Sequence, residues 1–226
     1  GLSHLFEHLL SGGQTVNRTE EQSRQLVEQI GAYSNAYTSK DHTAYFLTVP
    51  AQHVATALNL LADWVMHPTF PEDAFNRERD VVQRELEMNA TDPQRKLWAL
   101  FDSTRYRVHP GRFPIIGYQG ILKRLSREAI LSYYQRMYVP DNMVVVVVGH
   151  VNAQEMVEQI KKEFAGFAAQ TPPLIHLPQE PPVAAPRRIA EVFPAMQGPA
   201  KIICGFPSFD LFDEDLYALD TLANII

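Results

Sequence analysis

Apolar positions recur at helical spacing through most of this chain and alternate at strand spacing in only one stretch. "LSHLFEHLL" predicts a helix over residues 1–11, with Leu2, Leu5 and Leu9 on one side, His4, Glu7 and His8 on another, and Gly12-Gly13 as its end. Thr19 and Gln22 form a capping-box pattern ahead of "EEQSRQLVEQIG", where Leu26, Val27 and Ile30 make the apolar stripe and Gly31 the stop. "AYSNAYTSKDHTAYFLTVP" is rich in Tyr and Thr with partial alternation, which predicts two adjacent strands parted at "SKDH". "HVATALNLLADWVMHP" carries Val54, Leu58, Leu61 and Val65 at helical spacing and is closed by Pro68. Pro71 stands where a first-turn proline opens the helix "EDAFNRERDVVQRELEMNA".

A further helix is expected after Asp92-Pro93, another behind Ser126 in "REAILSYYQRMY", and another in "AQEMVEQIKKEFAGF". "NMVVVVVGHV" has no polar face and is expected as a central strand covered on both sides. "QTPPLIHLPQEPPVAAPRR" holds six of the sixteen prolines without any period, so it reads as a stiff connector. Beyond it, "AKIICGFPSFD" predicts a strand and "EDLYALDTLANII" the start of a helix. The expected fold class is α+β, a mixed and mainly antiparallel sheet with helices packed against it. The expected domains are an α+β unit over 1–168, a proline-rich linker over 169–190, and the start of a second unit over 191–226.

With 226 residues and 46% hydrophobic content the chain can bury a core, and its formal charge of −6 argues against nucleic acid or an anionic membrane as partner. The single cysteine, Cys204, rules out an intramolecular disulfide or a cysteine metal cluster, and in its predicted strand it is expected to be a buried small hydrophobe. Any metal would be held by histidine and carboxylate. No apolar run is long enough to span a bilayer as a helix. Gly1 leads straight into the first helix, so the chain is expected to be a fragment, with any targeting segment ahead of residue 1 and the compartment unknown.

On a helix, His4 and His8 are offset by about 40° and about 6 Å along the axis, so both imidazoles can reach one ion. A catalytic zinc site takes three protein ligands and keeps one position open, which leaves a third ligand to be found. Glu78 and Glu85 lie seven residues apart on one helix face, while Val81, Val82 and Leu86 turn to the core. That face is either a source of the third ligand or an ordinary solvated surface, and spacing alone does not join the two helices. His42 reads as a turn histidine, and His53, His67, His109, His150 and His176 as surface or cap residues. Phe101, Tyr106, Tyr133 and Tyr134 read as core. No glycine fingerprint supports a nucleotide cofactor.

"HLFEH" with Glu85 standing 77 residues after His8 resembles the pitrilysin-like inverzincin metallopeptidases, the group of insulin-degrading enzyme and mitochondrial processing peptidase. "SNAYTSKDHTAYF", "HPGRFPIIGYQGILKRLS" and "YVPDNMVVVVVGHV" carry the likeness on in order, over nearly the whole chain. It departs at Ser11 and Gln14, where the family favours an aromatic and a Thr or Ser. The resemblance implies that His4, His8 and Glu85 bind Zn2+, that Glu7 is the general base, and that Glu78 steadies the site. It places Asn35 and Ala36 on an edge strand that pairs with the backbone of a peptide or unfolded-protein substrate. It further implies peptide hydrolysis, a second ligand-free α+β copy begun by "KIICGFPSFDLFDEDLYALDTLANII", and a homologous domain or subunit completing a chamber. The arginine and tyrosine that assist the substrate carbonyl would come from that later part, so this chain alone is expected to be weak or inactive. A non-catalytic scaffold or partner subunit is the alternative role.

Overall fold

The computed structural model describes residues 1–193, 198–208, 210 and 212–225. The chain forms α1 (Leu2–Leu10), α2 (Glu20–Gln29), β1 (Tyr33–Thr38), β2 (Thr43–Thr48), α3 (Val54–Met66) and α4 (Glu72–Thr91). It continues through α5 (Pro93–Arg105), α6 (Gln119–Leu122), α7 (Arg127–Met137), α8 (Ala153–Glu163) and α9 (Leu216–Ile225). The caps explain where several of these begin. Thr19 and Gln22 complete the predicted capping box of α2, Asp92 accepts from the Gln94 and Arg95 amides to start α5, and Ser126 and Asn152 do the same for α7 and α8.

Helix α1 sits at the centre of this arrangement, packed against α4 and the β1–β2 hairpin. Its Leu5, Phe6, Leu9 and Leu10 are buried in one cluster with Leu60, Trp64 and Val65 of α3, Phe70 just before α4, Phe75 and Val82 of α4, Leu122 and Ile130. Phe6 is the hub, with ring centroids 5.2 Å from Phe70, 5.5 Å from Tyr133 and 4.3 Å from Tyr138. Removing it would cost about 3–5 kcal/mol by the usual scale for a buried phenylalanine. The helix stops at Gly12, whose φ of +72° is the left-handed conformation that suits glycine after a helix. Its first turn lies against Gly117, where a Cβ would meet the Gly1 backbone at 2.8 Å.

The hairpin is antiparallel, with Ala36 opposite Tyr45 and Thr38 opposite Thr43. Strand alternation turns Ser34, Ala36 and Thr38 inward and exposes Tyr33, Asn35 and Tyr37. The α+β class with helices on an antiparallel sheet therefore holds, but among the described residues the sheet has only these two strands. The predicted central strand is not one: residues 143–149 form no strand pairing among the described residues, and Val144, Val146 and Val148 are 87%, 75% and 91% exposed. A run of valines fits a strand, yet a strand exists only where a second segment supplies the hydrogen-bonding edge, and none of the described segments does so here. For the same reason the described residues of "AKIICGFPSFD" form no strand, and Cys204 is exposed rather than buried. Phe209 and Leu211 lie outside the described residues. Tyr133 and Tyr134 pack on the core as expected, whereas Phe101 and Tyr106 pack apart from it, each with its ring near the Arg105 guanidinium.

Candidate metal centre

The polar side of α1 faces the middle of α4. The Nε2 atoms of His4 and His8 lie 3.6 and 3.7 Å from Oε2 of Glu85. These three donors form a cluster within 4.8 Å, each partly buried. Donor atoms about 2.0–2.1 Å from a tetrahedral zinc ion stand about 3.3–3.4 Å apart, close to the two histidine–Glu85 separations. The third ligand candidate thus comes from a helix that sequence spacing could not bring to the first. It arrives because Phe75 and Val82, on the stripe of α4 next to the glutamates, are buried in the cluster that also holds α1.

The surroundings act on the two imidazoles in opposite directions. Burial lowers the pKa of His4, against the pull of Glu85, which favours the neutral imidazole a metal needs. Its Nδ1 is buried with no hydrogen-bond partner among the described residues. His8 is raised, chiefly by its contact with Glu78, and Glu78 is lowered by the same contact. At 3.6 Å between His8 Nδ1 and Glu78 Oε2, that contact is an ion-pair distance rather than a hydrogen bond. Arg77 holds the other Glu78 oxygen at 3.1 Å.

The Glu7 carboxylate, between the two histidines, makes one hydrogen bond among the described residues: Thr38 Oγ1 donates to its Oε2 at 2.5 Å. Its charge reaches both imidazoles. Asn35 and Ala36 lie on β1, whose far edge is unpaired among the described residues. The Ala36 amide is turned to Asn35 Oδ1 at 2.8 Å, and the Asn35 amide group donates to the Tyr33 hydroxyl. His42 is an exposed turn residue bonded to Ser39, while His109 caps the Gly111 amide and His67 ends α3 beside Asp63.

Two residues that pattern reading passed over belong to this neighbourhood. Thr38 was visible only as an inward position at the end of the alternating stretch. Lys40, in the hairpin turn, donates to the Gly111 and Phe113 carbonyls at 2.8 and 2.9 Å and pairs with Asp102 at 2.9 Å. Its partners are more than sixty residues away, so no local signal pointed to it.

A helix-rich α+β unit with a His-His-Glu donor set shared between its central helix and α4 defines a class, and comparison with known proteins gives the family. Residues 1–117 match the family model of insulinase, peptidase family M16, and residues 124–226 match that of the peptidase M16 inactive domain. The chain belongs to peptidase family M16. It is 34% identical over 164 residues to an uncharacterized zinc protease of Mycobacterium leprae, covering 73% of this chain and 37% of that one. It is 31% identical over 172 residues to the mitochondrial-processing peptidase subunit beta of Neurospora crassa, covering 76% of this chain and 36% of that one. The crystal structure of a protease from Helicobacter pylori superposes with a TM-score of 0.75 at 30% identity, over 80% of this chain and 44% of that one. The chain thus spans less than half the length of these relatives. Among the described residues no helix is long and apolar enough to cross a membrane.

Proposed function

We propose that this chain carries the zinc-binding site of an M16 endopeptidase that cleaves peptides or unfolded protein segments. The observation that supports this reading best is the convergence of His4, His8 and Glu85 from two helices, with Glu78 behind His8 and Glu7 beside the pair. In this reading His4, His8 and Glu85 are the ligands. Zinc, when bound there, supplies a Lewis acid for the scissile carbonyl and for water. Glu7 takes the proton of the attacking water and later returns it to the leaving amine. Glu78 holds the orientation of the His8 ring. Asn35 and Ala36 offer the open edge of β1 to an extended substrate, which would take the Ala36 amide over from Asn35 Oδ1.

The activity belongs to a longer protein, in which a second homologous domain or subunit completes the chamber. The division into a zinc-binding unit over 1–168, a linker over 169–190 and a second unit from 191 is part of the proposal, as is the weak or absent activity of this chain alone. Elemental analysis of the purified chain beside Glu85→Gln tests the core of it. One zinc per chain, lost in the variant, is the expected result. A folded chain without zinc in either form would overturn it and leave the non-catalytic scaffold in its place.

A further inference from the structure

Glu7 is a long side chain on a helix, free to turn about its side-chain bonds unless something holds it. What holds it comes from the hairpin. Strand alternation puts Thr38 on the face of β1 that meets α1, and its hydroxyl donates to Glu7 Oε2 at 2.5 Å. The Thr43 hydroxyl, on the paired strand, stands 3.3 Å from that of Thr38.

This donor is itself anchored on two sides. Two residues onward, the Lys40 ammonium has three acceptors for its three protons, the Gly111 and Phe113 carbonyls and the Asp102 carboxylate. On β2 the Tyr45 hydroxyl shares a 2.7 Å hydrogen bond with Tyr138, within the aromatic cluster around Phe6. The hairpin is therefore tied both to the loop after α5 and to the core beneath α1. A hydroxyl carried on such an element restrains the carboxylate that it touches.

Resting on the peptidase reading above, we propose that Thr38 is a positioning residue for Glu7. Its hydroxyl occupies Oε2, so that Oε1 is the oxygen left free to accept a proton. A hydrogen bond to a charged group that is kept through the reaction fixes the geometry of proton transfer, and its loss is expected to reduce kcat roughly ten- to hundredfold.

The test compares Thr38→Val, which keeps the shape and loses the donor, with Thr38→Ser, which keeps the donor, in the full-length protein. The valine variant is expected to melt near the wild type, hold the same zinc, keep KM within about twofold and lose kcat, while serine restores kcat to within about threefold. A crystal structure of the valine variant is expected to show the Glu7 carboxylate moved from its place. Wild-type kcat in the valine variant, a loss that serine does not rescue, a parallel loss of zinc, or an unmoved Glu7 would each overturn the proposal. Should the full-length protein cleave no peptide, the peptidase reading fails on its own, and the position of Glu7 in the valine variant still decides whether Thr38 holds it.

Discussion

His8 stands between two carboxylates of one helix, its Nδ1 3.6 Å from Glu78 and its Nε2 3.7 Å from Glu85. The seven-residue spacing of the glutamates along α4 produces this, since two turns of helix bring both to the same face beside α1. The two carboxylates differ in position, because only Glu85 also faces His4. Glu85→Gln is expected to abolish stoichiometric zinc binding. Glu78→Gln, which leaves all three donors in place, is expected to weaken affinity about 10–100-fold. Competition with a chelator of known affinity measures both, and equal affinities for wild type and Glu78→Gln would remove Glu78 from the site.

Another carboxylate shapes the fold away from the candidate metal centre. Asp63 on α3 is 4% exposed and accepts hydrogen bonds from Thr15, Asn17 and Arg18, all in the loop that leaves α1. Burial pushes its pKa up, but these donors and the Arg18 charge outweigh burial and bring it below the ordinary value. A carboxyl with a folded pKa below its unfolded one, about 3.9, stabilises the fold above that value and ceases to do so as pH falls through the folded pKa. Thermal denaturation should therefore show stability falling below about pH 4, with a shallower fall in Asp63→Asn. At pH 7 that variant is expected to lose roughly 2–4 kcal/mol, because Arg18 keeps its charge and loses its partner.

Local patterns were legible wherever a segment carries its own instructions. The capping box at Thr19, the alternation in 33–48 and the stripe of α3 describe contacts within a few residues, and each appears where the pattern put it. The likeness of "HLFEH" to a known family pointed to Glu85, which the geometry of one helix could not have singled out from Glu78. What failed was long-range. Whether five valines become a strand depends on a partner edge, and whether Phe101 joins the core depends on the direction in which α5 leaves α4. Neither is written in the segment itself. Thr38 and Lys40 were missed because their roles exist only across the hairpin, the central helix and the loop after α5.

Lys40 gives that last point a test. Replacing it with Met keeps the aliphatic stem and removes the three donors, leaving the Asp102 carboxylate without its lysine partner and the Gly111 and Phe113 carbonyls without theirs. The expected loss is about 1–3 kcal/mol of stability. Amide exchange should rise in 33–48 and in 110–113 while α3 stays protected, as local opening of one anchored element requires. Uniform loss of protection would show instead that Lys40 supports the whole fold.

The proline-rich segment has its own attachment. Glu180 accepts from the consecutive backbone amides of Arg107, Val108 and His109 at 2.5, 2.9 and 3.0 Å, just past the end of α5. Arg187 donates to the Thr104 and Arg105 carbonyls at 3.1 and 2.8 Å, where a cation suits the end of a helix. Partial burial opposes the Glu180 charge, yet the three amides and Arg187 hold its carboxyl down to about 2. Because that value lies below the ordinary 4.5, the attachment is at full strength above pH 4.5 and is released only as pH falls toward 2. The amide resonances of Val108 and His109 should therefore titrate with a midpoint near 2, and Glu180→Gln should abolish that step. At neutral pH the same variant should expose residues 169–190 to faster proteolysis without lowering zinc content. A midpoint near 4.5 in the wild type would mean that the carboxylate is free in solution and that the segment is not held at this point.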